Sequence, residues 1–314
     1  MKKIYVLLFV MMGVVGSTAQ DLLYFNDFEL GLGTATVVGN GVLDVDPTPG
    51  FGAVFHNAAG GQAIRTNYLL LPDNIFTDLQ SSGKKALTIA FWVNKGTAVD
   101  TQWTPIFSAY AAAPPSTGNS WPMMVLQSRL VAQVNVGGWS DLVDANNAAG
   151  TNKVDVTWLD DANWHYYTAI FTETNVKILV DGVLQNEWNV DGVTAGQVVG
   201  GLFTNGSELK YISLGGNQAW NWADPDPAYK FDDVAIYSKA LSVTEINAIR
   251  TAKQVSTALP FELEEGLEIV SEEFFTLNGA RVHVAFDALE QGVYMRRALL
   301  SNGAVRTGKF VKIR

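Results

Sequence analysis

The chain has 314 residues, of which 48% are hydrophobic and 17% are charged, so it holds enough apolar material for a large buried core. It contains no cysteine, which excludes disulfides, thiolate catalysis and cysteine-ligated zinc. It contains 3 histidines. The net charge of −10 argues against a groove for nucleic acid and against a patch for anionic membranes.

The first residues have the composition of a secretory signal peptide. Lys2 and Lys3 precede an apolar run over residues 4–15, and residues 16–19 are small. The run is shorter than the roughly 20 residues that span a bilayer, so we expect cleavage on export and no stable membrane insertion. Residues 1–19 are therefore predicted to be the signal peptide, and the mature chain to begin near Gln20.

The stretch from residue 21 to about residue 230 has the pattern of short β-strands. Runs of Val, Ile, Phe, Trp and Tyr are separated by Gly, Asn, Asp and Pro, and no helical period of ten or more residues occurs. Residues 87–93 are apolar on both faces, which is typical of a strand between two layers. Residues 130–136 alternate, which predicts a strand with Gln133 and Asn135 on its wetter face.

Two further predicted strands, residues 164–171 and 176–180, precede a turn signal. Asp181 and Gly182 both tolerate positive φ, which predicts a hairpin turn into the next strand. Strands and turns at this spacing predict an all-β fold with two antiparallel sheets, a sandwich or jelly roll.

One helix is predicted after these strands, over residues 243–252. Ser242 can accept a hydrogen bond at the helix start, and Glu245, three residues on, can return one. Leu241 and Ile246 occupy the positions at which a hydrophobic contact closes such a start.

Four segments form a long ordered pattern. They are LTIAFWVN (87–94), NWHYYTAIFTETNVKILVDGVL (163–184), ISLGG (212–216) and FDDVAIYSKALSVTEINAI (231–249). Together they resemble the bacterial laminin-G-like, concanavalin A-like jelly rolls, and the resemblance covers residues 21–250. It implies two antiparallel sheets and a carbohydrate- or protein-binding role.

The composition changes beyond residue 255. Residues 261–280 carry only acidic charges, whereas residues 281–314 are mainly basic. The segments FFTLNGARV and GVYMRRALLSNGAVRTGKFVKIR resemble the C-terminal sorting domain of type IX secretion substrates. That resemblance implies a small β-sandwich recognised by outer-membrane secretion machinery, and a location outside a Gram-negative-type bacterium or on its surface. The alternative is a plain β-module.

These patterns predict three parts in the mature chain. A jelly-roll domain is expected over residues 20–254, a linker over 255–265 and a small β-sandwich-like module over 266–314. In the last part, Asn278-Gly279 and Asn302-Gly303 are predicted hairpin turns.

No catalytic residue is predicted. A glycoside hydrolase needs two carboxylates that flank the scissile bond, which on one strand means a spacing of two residues. Pairs with that spacing are Asp44/Asp46, Asp224/Asp226 and Glu262/Glu264. The first two pairs lie in predicted proline-bearing loops and the third lies outside the jelly roll. His165 is expected to be half-buried and paired with backbone or water.

Calcium is the metal that the acidic residues favour. Asp27 and Glu29 are two residues apart in the predicted first strand, and Asp232-Asp233 open the last strand. Termini lie side by side in related jelly rolls, so we expect Asp27 and Asp232 to provide the hard oxygen ligands that suit Ca²⁺. The alternative is that these acids are solvated or cap turns.

Tryptophans divide into two groups. Trp92 and Trp164 lie inside predicted strands and are expected in the core. The others considered lie in segments with Pro, Gly, Asn or Asp: Trp103, Trp121, Trp139, Trp220 and Trp222. An exposed ring is costly unless it meets an apolar partner such as the C–H face of a sugar.

The ligand-binding residues predicted from this argument combine rings with hydrogen-bonding groups, which suits a hydroxyl-rich ligand. They are Trp220, Trp222, Asn221, Asp224, Trp139 and Trp121. The alternative is that the rings plug the open ends of the sandwich.

Three functions fit the sequence. The leading hypothesis is a secreted or cell-surface, non-catalytic carbohydrate-binding protein whose partner is a polysaccharide or glycan. The second is a structural or adhesive protein that binds other proteins through the same sheet. The third is a polysaccharide lyase or hydrolase with an unrecognised site.

Overall fold

The structure is a computed structural model. It describes residues 21–29, 31–57, 67–98, 103–112, 120–142, 158–190, 199–216, 226–256, 268–275, 281–282, 289, 292–303 and 305–312. The predicted signal peptide, most of the predicted linker and the Asn278-Gly279 turn lie outside these ranges. Within them, no helix is long and apolar enough to cross a bilayer.

Strands dominate the described chain. In chain order they are β1 (Leu22–Asn26), β2 (Thr36–Val38), β3 (Val42–Val45), β4 (Ala53–His56), β5 (Tyr68–Leu71), β6 (Ala86–Asn94), β7 (Pro105–Tyr110), β8 (Met123–Gln127), β9 (Ala132–Asn135), β10 (Trp139–Leu142), β11 (His165–Thr172), β12 (Asn175–Val180), β13 (Val183–Asn189), β14 (Tyr211–Leu214), β15 (Lys230–Tyr237), β16 (Ile269–Phe275), β17 (Arg281–Val282), β18 (Gly292–Leu300) and β19 (Val305–Lys312).

Two antiparallel sheets form the jelly roll that the sequence predicts. The eight-stranded sheet has the order β13-β12-β11-β6-β15-β4-β3, with β1 also beside β15. The seven-stranded sheet has the order β10-β9-β8-β7-β14-β5-β2. One apolar core contains residues from both sheets.

Strand β6 lies in the middle of the eight-stranded sheet and confirms its prediction, because every residue from Leu87 to Val93 is buried. Its core face carries Phe91, whose ring stacks on Tyr167 of β11 at 5.2 Å and meets Phe231 of β15 edge-on at 5.8 Å. Aromatic pairs of this kind contribute ~0.5–1.5 kcal/mol beyond their buried area. The three rings therefore join the three central strands.

The predicted strand over residues 130–136 is shorter and drier than expected. It begins at Ala132, because Leu130 has a φ of +64° in the turn from β8. The expectation that Gln133 lies on a wet face was wrong, since its side chain is only 3% exposed. Gln127 of the neighbouring strand donates a hydrogen bond of 3.0 Å to the Gln133 side-chain oxygen, which lets this amide be buried.

The hairpin turn between β12 and β13 is confirmed. Asp181 and Gly182 have φ values of +53° and +77°, the left-handed conformation that such two-residue turns require. Gly182 also lacks room for a side chain, because an added Cβ would lie 2.2 Å from Oδ1 of Asn247. The sequence pattern thus predicts the backbone conformation of the turn but not the short distance between Gly182 and the Asn247 side chain.

Helices are short apart from one. They are α1 (Ile75–Ser81), α2 (Gly201–Thr204) and α3 (Val243–Ser256), with a 3₁₀ turn at Gly206–Glu208. At the start of α3, the Ser242 N–H donates to the Glu245 carboxylate at 2.9 Å and the Glu245 N–H donates to Oγ of Ser242 at 3.2 Å. The predicted reciprocal cap is confirmed.

Helix α3 continues four residues beyond its predicted end at residue 252. Lys253 is buried, and its ammonium lies 5.5 Å from the centre of the Phe51 ring. A cation over an aromatic face is stabilised electrostatically. This contact joins residues far apart in the sequence, so local patterns could not report the extension.

The C-terminal strands form a third, four-stranded antiparallel sheet with the order β17-β16-β18-β19. Ion pairs cross it: Arg296 Nε donates to Glu272 at 2.8 Å, and Arg297 and Arg281 both pair with Glu273. The change from acidic to basic composition along the chain therefore places opposite charges on neighbouring strands. The predicted Asn302-Gly303 turn is confirmed, with Gly303 at a φ of +79°.

Contacts divide the chain into two compact units. The larger contains Leu22–Asp46 and Ala53–Asn247, and the smaller includes Pro47–Gly52 and Ala248–Arg314. The predicted domain boundaries at residues 254 and 266 stay predictions.

Replacing Ser242 with Ala removes the oxygen that caps α3, so we expect a loss of about 1 kcal/mol in the free energy of unfolding, measured by urea denaturation. Thr244→Ala is the control, because Thr244 is exposed in the first turn of the same helix. Equal losses for the two variants would contradict the cap.

Candidate functional site

Two of the predicted ligand-binding residues, Trp121 and Trp139, lie within the described chain. Trp220, Asn221, Trp222 and Asp224 lie outside it, so their role stays a prediction. Trp92 is 3% exposed, as expected of a core residue, whereas Trp164 is partly exposed rather than core.

The outer face of the seven-stranded sheet carries a second apolar cluster, separate from the core. It consists of buried Tyr110, Met123 and Val125, with Trp139 and Tyr211 packed against them. Successive side chains of a strand point to opposite faces, and the alternate residues of β7 and β8 belong to the core. We call these five residues the outer aromatic cluster.

Strand register aligns most of this cluster in one row across the sheet. Tyr211 is opposite Tyr110, and Tyr110 is opposite Met123. Met123 is opposite Asn135, which in turn is opposite Trp139. The row therefore runs across five neighbouring strands, with its two ends partly exposed and its middle buried.

At one end of the row, the structure brings together the two predicted rings. Trp121 meets Trp139 edge-on, with ring centres 5.4 Å apart. Trp121 is 44% exposed, which is unusual for so large an apolar side chain. Trp139 packs on the outer face of the sheet, and whether these rings plug an open end of the sandwich stays an open alternative.

At the other end, Tyr211 stacks on Tyr110 with a centre distance of 5.8 Å and an angle of 8°. Neither tyrosine was singled out in the sequence. Both lie in short strands whose pairing is non-local, so only the register between β14 and β7 reveals that the rings meet.

Both carboxylates of the Asp44/Asp46 pair form ion pairs with one lysine. Lys230 Nζ lies 2.9 Å from Asp46 and 3.5 Å from Asp44. Burial alone would lower the pKa of Lys230, but the hydrogen bond to Asp46 and the two negative charges raise it above its ordinary value. Asp44 lies in strand β3 rather than in a loop, which corrects the sequence interpretation.

Of the proposed metal ligands, Asp232 lies in strand β15, whereas Asp27 directly follows β1, so the expectation that Asp27 and Glu29 lie in the first strand was wrong. Strand β1 pairs with β15, with Asn26 opposite Val234, so the expected proximity of the first and last strands is confirmed. Asp27 accepts a hydrogen bond from the Glu29 N–H, and Asp232, fully buried, accepts one from the Asp233 N–H. Among the described residues, no group of three His, Asp or Glu side chains is arranged to hold a metal ion.

His165 lies between two carboxylates instead of pairing with backbone or water, which corrects the expectation. Its Nδ1 is 2.8 Å from Asp181 and its Nε2 is 3.0 Å from Asp161. The hydrogen bond to Asp181 raises the pKa of His165, burial opposes the shift, and Asp161 adds to it. With both ring nitrogens facing carboxylates, the imidazole joins the residue 161 turn to the β12–β13 turn, and its protonated form is favoured over that of a free histidine.

Asp161 is itself fixed in the charged form. Hydrogen bonds from the side chain and backbone N–H of Asn163 lower the pKa of Asp161 to about 2, and His165 adds to this effect. Asp161, Asn163 and His165 are distant from Asp181 in the sequence, so no local motif predicts this arrangement.

Stacked antiparallel sheets with rings on an outer face define a lectin-like β-sandwich. The chain belongs to the family Laminin_G_3, described as the concanavalin A-like lectin/glucanases superfamily, whose model matches residues 64–247. No curated protein matches the sequence.

Several solved structures are similar in fold. One is domain 4 of AbnA, an extracellular arabinanase from Geobacillus stearothermophilus, in complex with arabinotriose: 14% identity, 72% of this chain and 97% of that chain covered, TM-score 0.44. Another is the binding domain of botulinum neurotoxin DC in complex with SialylT: 15% identity, 87% and 68% covered, TM-score 0.41.

The raised pKa of His165 should make stability depend on pH. A raised folded-state pKa gives stabilisation that is complete below the unfolded value of about 6.5 and is lost as the pH rises through the folded value. The free energy of unfolding of the parent should therefore exceed that of His165→Gln by more at about pH 5.5 than at about pH 9. Urea denaturation at both pH values measures this difference.

His56→Gln is the matched control for that experiment. Burial and the charge of Lys230 lower the pKa of His56 and outweigh Asp44, so protonation of His56 opposes folding. The difference between the parent and this variant should change with pH in the opposite direction. A pH-independent difference for His165→Gln would contradict the ion pairs.

Proposed function

We propose that the chain is a non-catalytic carbohydrate-binding protein whose site is the outer face of the seven-stranded sheet. The exposed Trp121 ring, 5.4 Å from Trp139, carries this proposal. A sugar offers an apolar C–H face that can cover such a ring. Asn135, opposite Trp139, adds an amide that can donate to and accept from hydroxyls.

A binding role is favoured over hydrolysis by the state of the candidate carboxylates. A glycosidase needs one carboxyl group to act as acid and another as base or nucleophile, and the acid needs a raised pKa. Asp44 and Asp46 both pair with the Lys230 ammonium, at 3.5 Å and 2.9 Å. That arrangement suits a structural ion pair better than proton transfer.

Trp121→Ala and Trp139→Ala should weaken glycan binding, because each removes a stacking surface. We expect a loss of about 1 kcal/mol, roughly a fivefold decrease in affinity, for each variant. Affinity electrophoresis against a panel of polysaccharides measures the retardation that results.

Phe25→Ala is the matched control in that experiment, because Phe25 is also 44% exposed but lies on β1 of the other sheet. Trp220→Ala and Trp222→Ala test the rings predicted from sequence alone. Loss of retardation in these two variants only would move the site to their segment. No retardation by any glycan would favour a protein partner, and release of reducing sugar or an ultraviolet-absorbing unsaturated product would indicate an enzyme.

We further propose that the chain is exported and that its C-terminal region directs sorting to the outside of the cell. The predicted signal peptide and the resemblance of the last strands to a type IX sorting domain support this. Mass spectrometry of the exported protein should show loss of residues 1–19 and of the region after about residue 255. A C-terminus that still ends at Arg314 would indicate an ordinary β-module.

Structural calcium near Asp27 and Asp232 stays a proposal, and other oxygen ligands would have to complete the site. If the folded protein binds calcium, a chelator should lower the melting temperature, because a ligand of the native state stabilises it by RT ln(1 + [L]/Kd). Calorimetry with and without EDTA, followed by restoration with calcium, tests this. An unchanged melting temperature would count against the site.

A further inference from the structure

A groove of about 550 Å³ lies beside Tyr211, at the opposite end of the row from Trp121. Its walls combine the Tyr211 ring and Leu70 with the polar side chains of Thr34, Thr36, Asp73 and Lys210. This volume is within the range of ~300–1,000 Å³ that small-ligand sites occupy. We call it the Tyr211 groove.

The groove has an aromatic wall held in a fixed orientation. One face of Tyr211 stacks on the buried Tyr110 ring of the neighbouring strand, which sets the orientation of the Tyr211 ring from the side. Tyr211 is partly exposed and also lines the groove, so ring surface not covered by Tyr110 is accessible there. A planar apolar surface of this kind matches the C–H face of a sugar ring.

Polar groups around this ring are available to a ligand. Asp73, Thr34 and Thr36 are exposed. Lys210 Nζ lies 3.3 Å from Oγ1 of Thr77, which positions the ammonium at the groove. A carboxylate can accept from two adjacent hydroxyls, while the ammonium donates to a ring or hydroxyl oxygen.

The charges of the groove indicate an uncharged ligand. Asp73 and Lys210 carry opposite charges, and the whole chain has a net charge of −10. A uronate or sulfate group would gain from Lys210 but would be repelled by Asp73. A neutral sugar uses both groups as hydrogen-bonding partners without this penalty.

We propose that the Tyr211 groove is a second glycan subsite, which binds a neutral sugar unit independently of the Trp121–Trp139 pair. This inference rests on the proposed carbohydrate-binding function. Tyr211 and Trp139 are four strand spacings apart in the register, about 19 Å at ~4.8 Å per spacing, so one sugar ring cannot touch both. Of the three residues between them, Asn135 next to Trp139 is partly exposed, whereas Tyr110 and Met123 are buried and separate the two subsites.

Two subsites on one face favour long chains. A polysaccharide that engages both converts the second binding event into an intramolecular one and gains avidity. A trisaccharide, by contrast, should bind each subsite separately and with lower affinity.

The test uses the full chain, isotope-labelled, with cellotriose, laminaritriose and mannotriose as neutral probes and trigalacturonate as the charged one. We expect a neutral trisaccharide to shift the amide resonances of Ala111, Lys210 and Tyr211. Tyr211→Ala and Asp73→Asn should each weaken this effect about fivefold. Asp78→Asn, an equal charge change at an exposed residue outside the groove, should leave it unchanged.

Each other outcome overturns the proposal. If a trisaccharide binds and Trp121→Ala abolishes binding while Tyr211→Ala and Asp73→Asn bind like the parent, the groove is not a subsite and the carbohydrate-binding function stands. If trigalacturonate alone shifts the groove resonances, the neutral class is wrong. If no trisaccharide binds and no polysaccharide is retarded, both proposals fail. Circular dichroism of Tyr211→Ala checks its fold, and the exposed Asp73→Asn provides the second variant.

Discussion

The seven-stranded sheet carries an apolar cluster on its outer face in addition to the core on its inner face, and the rest of the site depends on this second cluster. Alternation along a strand places Ala109 and Met124 in the core and Tyr110 and Met123 on the outer face. A sheet that packs on one side only would expose polar residues on the other. Here the second face instead holds an aromatic cluster, which orients partly exposed rings at both ends of a transverse row.

The sequence predicts those structural features that residues close together in the chain determine. The Asp181-Gly182 turn and the Ser242–Glu245 cap each involve residues within three positions of one another, and both were predicted correctly. The apolar run of β6 likewise identifies a strand buried on both faces. These features set the fold class, because they fix where strands turn and where the helix begins.

The features that sequence reasoning missed all depend on strand pairing. Gln133 is buried because Gln127 of the adjacent strand satisfies it, and His165 is held by Asp181 from the next hairpin. Tyr211 meets Tyr110 across a chain separation that no periodicity reports. Pattern analysis selected Trp121 and Trp139 as candidates, but it could not show that their rings meet or that tyrosines form the other end of the row.

The close fit between Gly182 and Asn247 has a consequence for the margin of the eight-stranded sheet. Strand β13 is terminal in that sheet, and a terminal strand exposes backbone groups that can recruit a foreign chain. Its connecting turn abuts the beginning of α3 so tightly that even a methyl group would collide with the asparagine amide. A side chain at Gly182 would force the Asn247 amide to move, whereas the glycine of the Asn302-Gly303 turn has open space around it.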